Sequence, residues 1–312
     1  MMYVKMIKLI NFILILGLVG CSNNVDTNVA NTENTKVKNL VFGKKRLKTN
    51  IVSKGDSVGP PDTPPKDGMF KLIKYNSSVG KLSAYITKDP KDGQKHPAIV
   101  WITGGDNNSI GDVWSKMPRY NDQSVSAFSK AGIVMMFPSQ RGGNDNPGKR
   151  EGFYGEVDDV LQATKYLKSM PYVDTNSIYL GGHSTGGTLV MLVGASSDIY
   201  QGIISLGPVA YADQYGGSYI YCDPLDKKEV CLRSPIYWLN DINTPMYVIE
   251  GESGNSGSIE LMAQENRNNK VKFFKVMGHD HFSVIAPIVE KLAEQILDGH
   301  LLVTKHTIKS LK

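Results

Sequence analysis

Five residues, Gly182-His183-Ser184-Thr185-Gly186, hold a serine between glycines that stand two positions to either side. A serine hydroxyl is a poor nucleophile until a neighbouring base takes its proton, and an imidazole serving as that base needs a carboxylate to orient it. A serine so equipped attacks acyl carbon, in esters or in amides. The spacing of the glycines suits such a serine, because side chains there would collide if the backbone folds sharply enough to lift its Oγ clear. Bases are available in Gly278-His279-Asp280-His281-Phe282-Ser283, which holds two of the six histidines; the others are His96, His183, His300 and His306. Carboxylates are available at Glu250 and Glu252, on either side of Gly251, and at Asp213. Cys222 and Cys231 have no histidines nearby and make a poor metal site. Neither a metal nor a cofactor is expected.

A strand must deliver such a serine and a helix must carry the chain away. "SIYL" before the glycines is strand-like, and residues 189–193, Leu-Val-Met-Leu-Val, continue as a buried apolar helix. Upstream, "FKLIKY" and "KLSAYIT" flank "NSSVG" as a hairpin, and "HPAIVWITGG" and "GIVMMFPSQRGG" are continuous apolar runs of the kind found in buried parallel strands. A helix is expected near 124–130. Between 156 and 169, Val157, Val160, Leu161, Thr164 and Leu167 share one helical face. Downstream come "GIISLGPVA", an irregular excursion over 211–240, the strand "PMYVIEG", a helix over 258–268, the strand "VKFFKV", and an amphipathic helix marked by Ile285, Ile288, Val289, Leu292 and Ile296. Strands alternating with helices predict an α/β fold, a mainly parallel twisted sheet with helices on both faces.

The strand, elbow and helix around Ser184, together with "RGGNDNPGKREGFYGEVDDV" and "VDTNSIYLGGHSTGG", resemble the α/β-hydrolase superfamily, and within it the prolyl oligopeptidase and dienelactone hydrolase branch, over residues 70–297. The resemblance implies chain order serine, acid, histidine, which excludes His96. "DHFS" is similar to the histidine loop of this branch and implies His281 as base, with His279 as the alternative. The aspartate usual three residues after a glycine in the acid loop is absent here; Glu252 is the first choice for the acid, Glu250 the second and Asp213 the third. Two backbone N–H groups are expected to hold the oxyanion, one from Thr185 and one from Gly105, with Gly104 or Asp106 one register away. Arg141 reads as a brace of the fold, and Asp158 and Asp159 read as solvated charges on an exposed helix face. The implied activity is acyl-bond hydrolysis, on esters or on short peptides. A hydrolase-fold protein that has lost catalysis and only binds is the reading from a different class, motivated by the missing aspartate.

The N-terminus adds a location. Lys5 and Lys8 precede an apolar run over 9–19, too short for a comfortable membrane span and ordered as an export signal is. Leu18-Val19-Gly20-Cys21 resembles the lipobox of bacterial lipoproteins, so residues 1–20 are expected as a removed leader and Cys21 as a lipidated N-terminus that anchors the chain to a membrane outside the cytoplasm. Residues 21–68 read as a disordered or extended tether, about fifty residues that cannot build the β-propeller with which larger relatives screen peptides. Residues 69–312 are expected as the hydrolase domain, with 211–240 a cap-like excursion. Thiols outside the cytoplasm tend to pair, which predicts a Cys222–Cys231 disulfide contributing roughly 2–3 kcal/mol. The formal charge of +5 falls to +3 without Lys5 and Lys8, too mild and dispersed to argue for nucleic acid.

Overall fold

The computed structural model describes residues 48–53, 55 and 58–311, which belong to one compact unit spanning Lys48–Lys312. The expected leader, Cys21 and most of the expected tether lie outside the described residues. Among the described residues, no helix is long and apolar enough to cross a membrane.

The hairpin forms as its pattern dictates, β1 (Phe70–Ser77) pairing antiparallel with β2 (Gly80–Thr87) around Ser78-Val79. β3 (His96–Ile102), helix α1 (Ser126–Lys130), β4 (Val134–Pro138), α2 (Glu156–Lys168), β5 (Val173–His183) and α3 (Thr185–Ser196) follow in alternation. Next come β6 (Gly202–Leu206), short helices α4 (Gly217–Ile220) and α5 (Lys227–Arg233), β7 (Met246–Gly251), α6 (Ser256–Glu265), β8 (Val271–Val276), α7 (Ile285–Leu297) and α8 (Lys305–Lys309). The eight strands form one sheet in the order β1-β2-β4-β3-β5-β6-β7-β8. β2 meets β4 antiparallel, and every pairing from β4 through β8 is parallel. Parallel strands must be covered on both faces, and the continuous apolar runs of β4 and β6 are accordingly buried at every position. α3 is buried on all sides from Thr185 to Ala195, whereas α7 turns Ile285, Ile288, Val289, Leu292 and Ile296 to the core. Parallel topology gathers the C-terminal ends of β3, β5, β7 and β8 along one edge, where sites in such folds are built.

Two expectations are corrected here. The compact unit begins at Lys48 rather than near residue 69, because the extended approach segment is docked. Asn50 N–H and the Thr49 hydroxyl donate to Glu229, at 3.2 and 2.6 Å, Val52 N–H donates to the Tyr221 carbonyl, and the Tyr85 hydroxyl donates to the Asp62 carbonyl. Cys222 and Cys231, in turn, are both free thiols. Burial raises both thiols above their ordinary pKa, Cys231 to about 11, so both stay protonated and unreactive at neutral pH. The excursion is held instead by a buried ion pair between Arg233 and Glu229 at 2.6 Å, by the Arg233 Nε bond to the Glu151 carbonyl, and by Arg150 donating to the Tyr221 hydroxyl.

Candidate active site

Ser184 follows β5 directly and adopts φ 57° and ψ −118°, a sparsely populated backbone conformation for a residue with a side chain. The turn is tight enough that a Cβ on Gly186 would lie 2.2 Å from the Ile102 carbonyl oxygen, and one on Gly182 would lie 2.5 Å from the Gly186 carbonyl oxygen. The two glycines are therefore a steric requirement of the elbow. Ser184 N–H donates to the Leu206 carbonyl at 2.7 Å, which ties the turn to the end of β6.

His281 lies in the loop between β8 and α7. Its Nδ1 is 2.8 Å from Glu250 Oε2. A carboxylate oxygen can only accept, so Nδ1 carries the proton and Nε2 is left as the basic nitrogen. The imidazole packs over Gly207, where a Cβ would come within 2.5 Å of His281 Cε1, and Gly207 is the residue after Leu206, to which the Ser184 elbow is tied. Glu250, fully buried at the end of β7, also accepts from Gly251 N–H at 2.7 Å and from Asn255 N–H at 2.8 Å. Three donors on one buried carboxylate fix its position.

Glu252 is thus not the residue that meets His281. β7 ends at Gly251, and the Gly254 N–H to Gly251 carbonyl bond turns the chain, so Glu252 is exposed and, among the described residues, accepts from Gly278 N–H alone, at 3.1 Å. Asp213 lies exposed on the 3-10 turn Ala212–Tyr215. His279 is occupied elsewhere, its Nδ1 3.1 Å from the Ser283 carbonyl.

The loop after β3 reaches the serine. A Cβ on Gly104 would lie 3.1 Å from Ser184 Cβ, and the Thr185 hydroxyl donates to the Gly105 carbonyl at 2.9 Å. Thr185 opens α3, and the N–H of an opening residue has no carbonyl one turn earlier to satisfy it. Asp106, the alternative one register on, has its carboxylate held by a two-pronged bond from Arg150 at 2.7 and 2.8 Å.

Two side chains at the serine were not singled out by sequence reasoning. Tyr215, from the excursion, places its hydroxyl 2.9 Å from Thr188 Oγ1, in the first turn of the helix that Ser184 opens into. Burial raises its pKa, so the phenol stays a donor. The sequence offers the tyrosines of 213–223 as lining for a substrate cleft or as a packed cap over the site, and nothing in it distinguishes Tyr215 from the others. His183 is buried beside His281. Burial first, and the neighbouring His281 second, lower its pKa to about 4. Arg141 braces the fold: its Nε and Nη2 meet both oxygens of Asp159, at 2.8 and 3.0 Å, and its Nη1 meets Glu151 at 2.6 Å. Asp159 is accordingly fully buried, against the expectation of an exposed charge. Among the described residues no cluster of His, Cys, Asp and Glu could hold a metal.

Residues 118–253 match the prolyl oligopeptidase family. That segment contains the Ser184 elbow and Glu250 and stops before the histidine loop. Dipeptidyl-peptidase 5 of Porphyromonas gingivalis is 26% identical to this chain over 197 residues, 55% of this chain and 28% of that protein. Among solved structures, an acylaminoacyl peptidase of Pyrococcus horikoshii superposes with a TM-score of 0.61 at 16% identity, over 77% of this chain and 43% of that one. An esterase of Pyrococcus furiosus superposes with a TM-score of 0.59 at 16% identity, over 82% of this chain and 100% of its own length. At these identities the solved structures show the fold alone, an α/β fold like that of the α/β-hydrolases. The chain spans less than half the length of the two peptidases.

Proposed function

We propose that this chain is a serine hydrolase that cleaves acyl bonds, in carboxylic esters or short peptides, through Ser184, His281 and Glu250. The observation that carries the reading is the 2.8 Å contact between His281 Nδ1 and a buried carboxylate, in a loop packed against the strained Ser184 elbow. Ser184 Oγ attacks the acyl carbon as His281 Nε2 takes its proton. The oxyanion that forms accepts from Thr185 N–H and from the loop N–H at Gly105 or Gly104. His281 then returns the proton to the departing alcohol or amine as the carbon–oxygen or carbon–nitrogen bond breaks, leaving an acyl ester on Ser184. Water, losing a proton to His281 Nε2, attacks that ester; the carboxylic acid leaves and Oγ recovers its proton. Glu250 keeps its charge throughout and stabilises the imidazolium. Because Glu250 supplies the carboxylate, the missing aspartate no longer motivates a catalytically silent reading.

The family match and the curated relative, both named as peptidases, support peptides, a structural neighbour is named as an esterase, and both substrate classes use the same acyl chemistry. The same proposal keeps the chain outside the cytoplasm, held to a membrane by lipid on Cys21, on the strength of Lys5, Lys8, the apolar run and Leu18-Val19-Gly20-Cys21.

A fluorophosphonate probe tests the enzyme reading. Purified protein should be labelled and Ser184→Ala should not; absence of label on the wild type, beside a labelled control hydrolase, would overturn it. A panel of aryl esters and aminoacyl or dipeptidyl arylamides then assigns the substrate class.

A further inference from the structure

The residue before the nucleophile is a second histidine, and it is enclosed by the loops that build the site. His183 is only 1% exposed. Its Nε2 lies 2.8 Å from the backbone carbonyl of His281. Its ring packs on the His281 ring, with centroids 4.4 Å apart at 41°, and on the Phe282 ring at 5.7 Å. Its other nitrogen, Nδ1, is buried without a partner and faces the β3 loop, where a Cβ on Gly104 would come within 3.0 Å of it. The contacts fix the tautomer. A carbonyl can only accept, so Nε2 carries the proton, and a neutral ring then leaves Nδ1 as a bare acceptor. The titratable and charged groups near this ring are His281 from the loop after β8 and Glu250 from β7.

Burying an acceptor without a donor is unfavourable, and an aromatic hydrocarbon ring would fill the same space without that loss. What a phenyl ring cannot do is donate to the His281 carbonyl. Glu250 holds the His281 imidazole from one side through Nδ1, but a ring held at one atom can still tilt, carrying Nε2 away from Ser184. The His183 bond pins the backbone of the same residue, and the stacked ring blocks rotation on one face.

We infer that His183 is a positioning residue for the reaction: its Nε2–H clamps the His281 carbonyl and its ring supports the His281 imidazole, so that Nε2 of His281 stays aimed at Ser184. This rests on the hydrolase reading, with His281 as base. His183 acts through His281, whose carbonyl and ring it contacts. Its position in the chain explains the economy of the device, since one residue of the elbow also registers the histidine loop against it.

The first measurement uses the wild type. Nitrogen-15 NMR of labelled histidines, with His183 assigned through His183→Gln, should show a neutral ring protonated at Nε2 at pH 6; an Nδ1–H tautomer or an imidazolium at that pH would overturn the inference. The second is kinetic. In His183→Phe, fluorophosphonate labelling and kcat on an aryl ester should fall about tenfold or more, with KM nearly unchanged, because misplacing a reacting group slows chemistry more than binding. His183→Gln, whose Nε2 reaches the same distance along its side chain, should recover most of that loss. A folded His183→Phe protein that reacts as the wild type does, or a Gln variant as impaired as the Phe variant, would overturn this inference alone. An unlabelled wild type would overturn the hydrolase reading and this inference with it. Should His183→Phe not fold, the tautomer measurement and His183→Gln decide, the latter by retaining at least about a third of wild-type kcat.

Discussion

The carboxylate of the site is a matter of two residues. Glu250 and Glu252 stand on either side of Gly251, yet Glu250 is buried with three donors upon it, and Glu252 is exposed with one. Replacing Glu250 with Gln should lower kcat by roughly three to four orders of magnitude, since an amide can present its NH2 to Nδ1 and favour the wrong tautomer, while Glu252→Gln should leave turnover within about twofold. Steady-state kinetics on one ester separates these outcomes, and equal losses would remove Glu250 from the acid role. The burial of His183 carries a second consequence. Its pKa is about 4 in the fold and near 6.5 in an unfolded chain, so below pH 6.5 the unfolded state takes up a proton that the folded state refuses. Stability should therefore fall as pH drops from 6.5 to 4, by about 3 kcal/mol from this residue, and level off below. Denaturant titrations of the wild type and His183→Gln should show that loss in the difference between them.

Among the elements, the β5–α3 junction was the most legible. Two glycines flanking the serine, an apolar strand before and an apolar helix behind leave little else the segment could build, and the close approach of Gly186 to the Ile102 carbonyl supplies the physical reason. Gly186→Ala should cost roughly 1–3 kcal/mol of stability and abolish probe labelling, because the Cβ must push β3 and the elbow apart; a labelled, fully stable variant would contradict the elbow geometry. The loop after β7 was less legible. Whether the residue before or after Gly251 faces the histidine depends on where β7 ends and which way the next turn runs, and that is set by pairing with β8 and by the Gly254 to Gly251 bond. The α2 helix misled for a related reason. Asp159 looks solvated on a helical wheel, yet Arg141, distant in the helix pattern, folds back to pair with it.

At the scale of the molecule, the excursion over 211–240 depends on ion pairs and the docked segment from Lys48 onward, with no disulfide. A thermal melt should accordingly be unchanged by reductant; a fall of several degrees would reveal a Cys222–Cys231 bond. The proposed membrane attachment is tested at this scale too: the full chain expressed in a bacterial host should partition into detergent, and Cys21→Ser should move it to the aqueous phase. The class of fold, the order of strands and helices, the elbow and the identity of its serine, and the histidine loop could all be read along the chain, because each is written in local periodicity, in glycines at a sharp turn, or in motif order. Which glutamate meets His281, that Tyr215 reaches Thr188 and His183 packs on His281, that Asp159 is buried, and that the cysteines stay unbonded emerge with the folded chain. Those are contacts between segments distant along the chain, and a sheet edge that gathers four loops determines them through packing that no single stretch of sequence contains.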